Sequence, residues 1–104
     1  MVNPDKVARA LGDPIRYKIM KLLARSKTGC CALPGSEGSQ PGLCNCELMA
    51  KLGLIQSRVS YHMKELTEAG LVIEEPRGRW KFYFINNAAL QELIKQLHRD
   101  FDLE

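Results

Sequence analysis

The strongest constraint on the fold is a change of hydrophobic period near residue 70. Between 45 and 69 the apolar residues recur three and four positions apart, as on amphipathic helices, and Gly53 divides this part into two. Between 71 and 85 strand-forming Val, Ile, Phe, Tyr and Trp are common, on either side of Pro76-Arg77-Gly78-Arg79, a predicted turn. The sequence therefore predicts two helices and then two strands, at about 45–52, 56–69, 71–75 and 80–85.

Three further helices and one long loop complete the predicted chain. Asp13 can cap a helix that begins at Pro14, because the missing N–H of proline costs nothing at the first helical position. Residues 28–42 are rich in Gly, Pro and Ser and have no periodicity, so they form a loop unusually long for a small domain. The other helices are predicted at about 3–11, 14–25 and 87–101. The expected fold is mainly α with a two-stranded β wing, in one domain spanning 1–104.

Composition is that of an ordinary globular protein with a mildly basic charge. The formal net charge is +3 and the isoelectric point about 8.7, which favours an anionic partner only weakly. No apolar run approaches the ~20 residues of a transmembrane helix, and the first residues lack the layout of a secretory signal. We therefore expect a cytoplasmic protein without membrane contact, where structural disulfides are rare.

A polar stripe on the second helix of the 45–69 segment predicts a surface that reads DNA. Two helices joined by a tight glycine-containing turn form a helix-turn-helix, whose second helix enters the major groove of double-stranded DNA. Glutamine can pair with adenine and arginine with guanine, while Ser, Tyr and Lys suit phosphate oxygens. A merely solvated helix face is the alternative, but the arginine-tipped hairpin that follows favours DNA. The predicted DNA contacts are Gln56, Ser57, Arg58, Ser60, Tyr61, His62, Lys64, Arg77 and Arg79.

Two cysteines lie at the start of the first helix of this motif. Cys44 occupies the apparent N-cap, and Glu47 follows at capping-box spacing, although cysteine is a poor cap. Cys46 is two positions further on, so on a regular helix the two side chains point in nearly opposite directions. We therefore expect that a ligand held by both thiolates bends or unwinds the helix start, which supports the DNA-reading helix.

Cys30 and Cys31 in the 28–42 loop bring the number of thiols to four. Four thiolates can hold tetrahedral Zn(II) or Cd(II), although the spacing differs from the usual Cys-x-x-Cys. A disulfide switch driven by an oxidant is another interpretation. The plainest one is that these cysteines are small buried apolar residues, or incidental in the loop. Enzymatic activity is not expected, because no Cys-x-x-Cys accompanies a βαβ pattern and no Cys–His pair is evident.

Five short motifs follow one another along nearly the whole chain. They are Ala10-Leu11-Gly12-Asp13-Pro14-Ile15-Arg16, Leu43-Cys44-Asn45-Cys46-Glu47-Leu48, Gly53-Leu54-Ile55-Gln56-Ser57-Arg58-Val59-Ser60-Tyr61-His62, Glu68-Ala69-Gly70-Leu71-Val72 and Gly78-Arg79-Trp80. In this order they resemble the ArsR/SmtB family of metal- and metalloid-responsive repressors. The resemblance implies a homodimeric winged helix-turn-helix, with 1–11 and 87–101 as dimerisation helices, 45–69 as the helix-turn-helix and 71–85 as the wing. It also implies a partly palindromic operator that is released when an inducer binds.

The chain is most like the arsenic-sensing members, in which the Cys-x-Cys at this place binds arsenite or antimonite through thiolates. Because trivalent arsenic takes three sulfurs, the resemblance implies Cys44 and Cys46 as metal ligands together with Cys30 or Cys31. The chain departs from the family in its longer loop, and its last helix has only His98 where zinc- and nickel-sensing members have Asp-x-His. We therefore expect a repressor induced by As(III) or Sb(III). The alternatives are a Cd(II)- or Zn(II)-sensing repressor and a thiol redox-responsive one.

Overall fold

A computed structural model describes residues 3–26 and 42–103 of the chain. The order of helices and strands confirms the predicted winged helix-turn-helix class. The elements are α1 (Pro4–Leu11), α2 (Pro14–Arg25), β1 (Gly42–Cys44), α3 (Asn45–Leu52), α4 (Gln56–Glu68), β2 (Val72–Arg77), β3 (Trp80–Ile85) and α5 (Asn87–Asp100). No helix in the described ranges combines the length and the apolar character that crossing a membrane requires.

Short polar residues start the first two helices as the sequence indicates. The Asp13 carboxylate accepts hydrogen bonds from the amides of Ile15 and Arg16, at 2.8 and 3.4 Å. Burial alone raises the pKa of Asp13, but these two amides and the Arg16 charge outweigh it and lower the pKa. Helix α3, the first helix of the helix-turn-helix, ends at Gly53. This glycine adopts φ 67°, a left-handed conformation that glycine takes without strain.

One hydrophobic core lies among α1–α4 and the sheet. Its fully buried large side chains come from α2, α3, α4 and the first strand, and they include Ile19, Leu23, Leu43, Leu48, Val59, Met63 and Leu66. Arg16 is buried although it is charged, because its Nε donates a hydrogen bond to the carbonyl oxygen of Ala10, at 2.9 Å. This bond joins α2 to the end of α1, and both of these helices pack against α4.

The sheet differs from the predicted two-stranded wing in having a third strand. β1 pairs antiparallel with β3, so the strand order is β1-β3-β2, and Leu43 lies opposite Tyr83. Gly42 belongs to this strand and not to the predicted loop, because a three-residue strand is too short for its period to show in the sequence. The remainder of the predicted 28–42 loop, with Cys30 and Cys31, lies outside the described residues.

The hairpin turn is also tighter than predicted. Pro76 and Arg77 continue β2 and pair with Lys81 and Trp80, which leaves a two-residue turn at Gly78 and Arg79. Gly78 has φ 63°, and a glycine at the first central position suits a two-residue hairpin turn. The strand therefore extends two residues beyond its predicted end and carries Arg77 with it.

Candidate DNA-binding face and cysteine pair

Helix α4 presents a continuous polar surface to solvent. Its buried face packs Val59, Met63 and Leu66 into the core. Glu68 is exposed at the end of the helix, and the exposed side chains before it are those of Gln56, Ser57, Arg58, Ser60, Tyr61 and Lys64. All six were predicted DNA contacts, and the first three form the start of the helix, which is the part of a recognition helix that reaches base edges.

His62 is a correction to the predicted DNA contacts. Its side chain is only 3% exposed and lies on the core side of α4, so it does not face a bound duplex. Burial lowers the pKa of His62, and the charges of Arg16 and Arg58 lower it further, although Asp13 and Glu65 oppose them. His62 is therefore a neutral interior side chain between α4 and the start of α2. Its spacing from Val59 and Leu66 is that of the buried stripe, a signal that could have indicated this.

Arg77 is the second correction. The prediction placed it at the wing tip, but its side chain is buried, with Cζ 4.0 Å from the centroid of the Phe82 ring. Its Nε donates a hydrogen bond to Oε1 of Glu75, at 3.1 Å. Arg79 remains exposed in the turn, with its Cζ 5.9 Å from the centroid of Trp80. Of the two predicted wing cations, Arg79 is thus the one whose charge faces solvent.

A cleft of about 370 Å³ separates α4 from the wing strands. Lys64 and Ser60 line its helix side, while Lys81 and Glu74 line its sheet side. Lys81 Nζ lies 3.6 Å from Oε1 of Glu74. Tyr83, also in the wall, is buried, and this burial together with the Glu74 charge and hydrogen bond raises the pKa of its hydroxyl. Each side of this cleft therefore carries one lysine and one glutamate, because Glu68 of α4 also lines it.

Cys44 stands at the junction of β1 and α3. It is the last residue of the strand and the N-cap of the helix, with its side chain fully buried. Its amide donates a hydrogen bond to Oε1 of Glu47, at 3.1 Å, as the capping-box spacing predicts. Burial of Cys44 is also what the interpretation of a small apolar residue requires.

Cys44 and Cys46 are joined by a disulfide in this structure, with their Cα atoms 5.4 Å apart. The two sulfurs meet here without bending or unwinding of α3, whereas the effect of a ligand held by both thiolates stays a prediction. Cys44 is extended, with φ −83° and ψ 166°, and α3 begins immediately after it at Asn45. Because the N-cap residue lies outside the helix, the turn of about 100° per residue does not govern its side chain.

Cys30 and Cys31, the other candidate ligands, lie outside the described residues. Within 3–26 and 42–103, no group of three or more His, Cys, Asp or Glu side chains is placed to hold a metal ion. His98 is exposed on α5, with Nδ1 3.2 Å from the carbonyl oxygen of Leu103. One contact that the sequence does not indicate does reach the pair. The Asn45 side chain, between the two cysteines, accepts a hydrogen bond from the Lys81 amide at 3.3 Å.

Comparison with known proteins gives this arrangement a family. A sequence model of bacterial regulatory proteins of the ArsR family matches residues 36–74. An uncharacterised HTH-type transcriptional regulator of Methanocaldococcus jannaschii is 33% identical over 90 residues, 86% of this chain and 85% of that protein. The arsenical resistance operon repressor of Bacillus subtilis is 32% identical over 89 residues, 85% of this chain and 70% of the repressor. The chain belongs to the ArsR family.

Solved structures agree with the fold of this ArsR-family protein. An ArsR-like transcriptional regulator from Rhodococcus sp. RHA1 superposes with a TM-score of 0.72 at 22% identity, covering 94% of this chain and 78% of that one. A homodimeric winged helix-turn-helix DNA-binding domain from Mycobacterium bovis gives 0.64 at 21% identity, over 97% and 82% of the two chains. Family membership makes the protein a DNA-binding transcriptional repressor.

Proposed function

We propose that this repressor leaves its operator when trivalent arsenic or antimony binds the reduced thiolates of Cys44 and Cys46. The observation that carries the proposal is the meeting of these two sulfurs at the start of α3, the first helix of the helix-turn-helix. Arsenic(III) is thiophilic, and each As–OH bond of arsenous acid that breaks is replaced by an As–S bond, while the released hydroxyl group and the thiol proton leave together as water. The name of the Bacillus subtilis relative supports an arsenical signal.

A third thiolate completes the coordination that trivalent arsenic prefers. Cys30 and Cys31 are the other thiols of the chain. They lie in the segment between α2 and β1, and this segment continues directly into β1, whose last residue is Cys44. We propose that one of them supplies the third sulfur. A ligand that joins the loop to Cys44 then acts on the residue where the sheet and α3 meet.

The proposed grip on DNA uses the exposed side chains of α4 and the wing tip. Gln56 and Arg58 at the start of α4 read base edges, while Tyr61 and Lys64 contact the backbone. Ser57 and Ser60 lie on the same exposed face, and Arg79 holds a phosphate from the wing. Two copies of α4, one from each protomer, match the two halves of a palindromic operator.

We propose that the protein acts as a homodimer through α1 and α5. Several large apolar side chains on α5 and just after it are exposed in the single chain, which supports a partner that covers them. The exposed apolar side chains of this region are Ile94, Leu97, Phe101 and Leu103. The homodimeric Mycobacterium bovis domain shows that this fold can pair.

A redox-responsive repressor is the second candidate, because the same two sulfurs are bonded to each other in the structure. In that case two thiols lose two protons and two electrons to an oxidant such as hydrogen peroxide, which is reduced to two molecules of water. The two candidates use the same residues but require different signals.

One set of titrations on operator DNA tests both candidates. Reduced protein is titrated with arsenite, antimonite, Cd(II) and Zn(II) in turn, and separately with hydrogen peroxide. Release by arsenite under reducing conditions supports arsenic sensing, whereas release by peroxide alone supports the redox switch. A Cys44→Ser, Cys46→Ser variant should bind the operator and ignore both signals. Release of this variant by arsenite would show that the proposed site is wrong.

A matched variant locates the third ligand. Cys30→Ser, Cys31→Ser retains the pair at α3 and should bind operator DNA as the unaltered protein does. If the loop supplies the third thiolate, arsenite binds this variant more weakly and releases it at higher concentration. An unchanged arsenite titration contradicts a role for the loop thiols.

A further inference from the structure

We propose that Asn45 couples the cysteine pair to the wing, which is the β2–β3 hairpin, so that chemistry at the sulfurs is transmitted to β3. This inference rests on the proposed function in one respect, that Cys44 and Cys46 receive the signal. Asn45 lies between them and is the first residue of α3. Its Oδ1 accepts a hydrogen bond from the backbone amide of Lys81 in β3, at 3.3 Å.

Cys44 and Asn45, at the start of α3, each contact one residue of the wing strand β3. Cys44 lies opposite Phe82 in the pairing of β1 with β3. Asn45 holds the preceding residue, Lys81, through its side chain. The junction of β1 and α3 is therefore attached to the wing by a strand ladder and by a side-chain bond. A change in the backbone of Asn45 acts directly on the second of these attachments.

Chemistry at the sulfurs acts on Asn45 because of its position in the chain. A bond between Cys44 and Cys46, direct or through one arsenic atom, closes a small ring whose backbone passes through Asn45. Opening or closing this ring changes the conformations that the Asn45 backbone can adopt. The hydrogen bond to Lys81 is exposed and made by one side-chain oxygen, so a small backbone rotation is enough to break it.

Lys81 is well placed to pass the change to DNA. Its ammonium lies 3.6 Å from the Glu74 carboxylate, on the sheet side of the cleft that Lys64 of α4 lines from the opposite side. A shift of β3 at this residue therefore moves a cation relative to the exposed face of α4. The distance between the Lys81 ammonium on the wing and the Lys64 ammonium on the recognition helix then changes, so that the two no longer match the same DNA phosphates.

Trp80 makes the coupling measurable without DNA. It is the single tryptophan of the chain, it immediately precedes Lys81, and it is 43% exposed. In a Cys30→Ser, Cys31→Ser background only the pair at α3 can react with a thiol oxidant such as diamide. Passage between the reduced and the oxidised pair should shift Trp80 emission. The same measurement with arsenite, in the chain with all four cysteines, gives a second arm.

Two variants of Asn45 decide the proposal. Asn45→Ala removes the acceptor and should lose the Trp80 response, although titration of free thiols shows the pair reacting as before. Asn45→Asp keeps an acceptor oxygen and should keep the response. If Asn45→Ala retains the full response while its thiols react normally, the proposal is overturned. It is also overturned if neither reagent moves Trp80 emission with Asn45 in place.

The two arms keep this proposal distinguishable from arsenic sensing. If arsenite consumes no thiols, arsenic sensing fails, and the oxidant arm still tests Asn45. If arsenite binds and releases the operator from Asn45→Ala as readily as from the unaltered protein, arsenic sensing stands and the coupling through Asn45 is contradicted. On operator DNA, loss of coupling should reduce the ligand-dependent change in affinity, which is about 5–150-fold in typical allosteric proteins, towards none.

Discussion

Arg77 lies over the ring of Phe82, with its Cζ 4.0 Å from the ring centroid, and both side chains are buried. A guanidinium on an aromatic face, shielded from water, stabilises by about 1–2 kcal/mol. The Arg77 Nε also holds the Glu75 carboxylate at 3.1 Å. This arginine is therefore engaged in holding the two wing strands together, which leaves the exposed cation of the turn to meet DNA.

Replacing Arg77 by alanine should destabilise the protein without removing a phosphate contact. We expect the free energy of unfolding to fall by about 1–2 kcal/mol, because the stacked cation is lost from the Phe82 ring. The slope of operator affinity against salt concentration should stay unchanged. Urea unfolding and a salt titration of DNA binding measure the two effects. A smaller salt slope with unchanged stability would restore Arg77 as a DNA contact.

Replacing Arg79 by alanine should have the opposite effect. Arg79 is exposed in the turn, so its loss should change stability by less than about 0.5 kcal/mol. If it neutralises one phosphate, the slope of log affinity against log salt should become shallower by about 0.9. The same two measurements apply, and Arg77→Ala is the matched control. An unaltered salt slope argues against contact between the wing tip and the DNA backbone.

Glu74 should weaken DNA binding, because its carboxylate lies 3.6 Å from the Lys81 ammonium in the cleft beside α4. In Glu74→Gln the ammonium is free to meet a phosphate. We expect tighter operator binding and a salt dependence steeper by about 0.9 in slope. Glu92→Gln removes the carboxylate of another exposed ion pair, with Arg99 on α5 at 3.3 Å, and serves as control. Equal effects of the two variants would show only a change in net charge.

The buried His62 should make the protein less stable in mild acid. Burial lowers its pKa below the unfolded value of 6.5, so the unfolded chain takes up a proton first as the pH falls. Its contribution is fully present above about pH 6.5 and is lost as the pH falls through the folded pKa. One proton limits the slope to about 1.4 kcal/mol per pH unit. Urea unfolding between pH 7.5 and 5 measures this.

The two histidines of the chain provide a matched pair for this test. His62→Gln should flatten the pH dependence of the unfolding free energy in that window. His98→Gln, the same substitution at an exposed position of α5, is the control. The contribution of Asp13 falls at more acidic pH, since its folded pKa lies below 3.8. If both glutamine variants keep the same slope, His62 is not its source.

Leu97→Glu should dissociate the proposed dimer. Leu97 is 41% exposed on α5 in the single chain, so a charge there is tolerated by the fold but not by an apolar interface. We expect a monomer by analytical ultracentrifugation and much weaker operator binding, because one protomer contacts one half-site. Lys95→Glu places a glutamate at an exposed polar position of the same helix and serves as control. A dimer that persists in Leu97→Glu places the interface elsewhere.

The elements that the sequence predicted correctly are those whose ends are specified by residues close by in the chain. Helix α2 lies over 14–25 and α3 over 45–52, as predicted, because Asp13-Pro14 and Gly53 specify their ends through bonds within a few residues. β3 at 80–85 likewise follows from its own strand-forming residues and Gly78. The polar residues at the start of α4 are exposed as their spacing indicates. Each of these features depends on near neighbours in the chain.

The features that the sequence did not reveal depend on partners far along the chain. The spacing of His62 from Val59 and Leu66 is local, but the burial of its imidazole depends on the elements that pack against this face of α4. β1 is a strand only because β3 lies beside it, and this pairing positions Cys44 as an extended N-cap. The sequence by itself determined a winged helix-turn-helix with two cysteines at the first helix of the motif. The tertiary structure decided that their sulfurs meet and that Asn45 between them holds the wing, because such contacts join segments that local spacing does not relate.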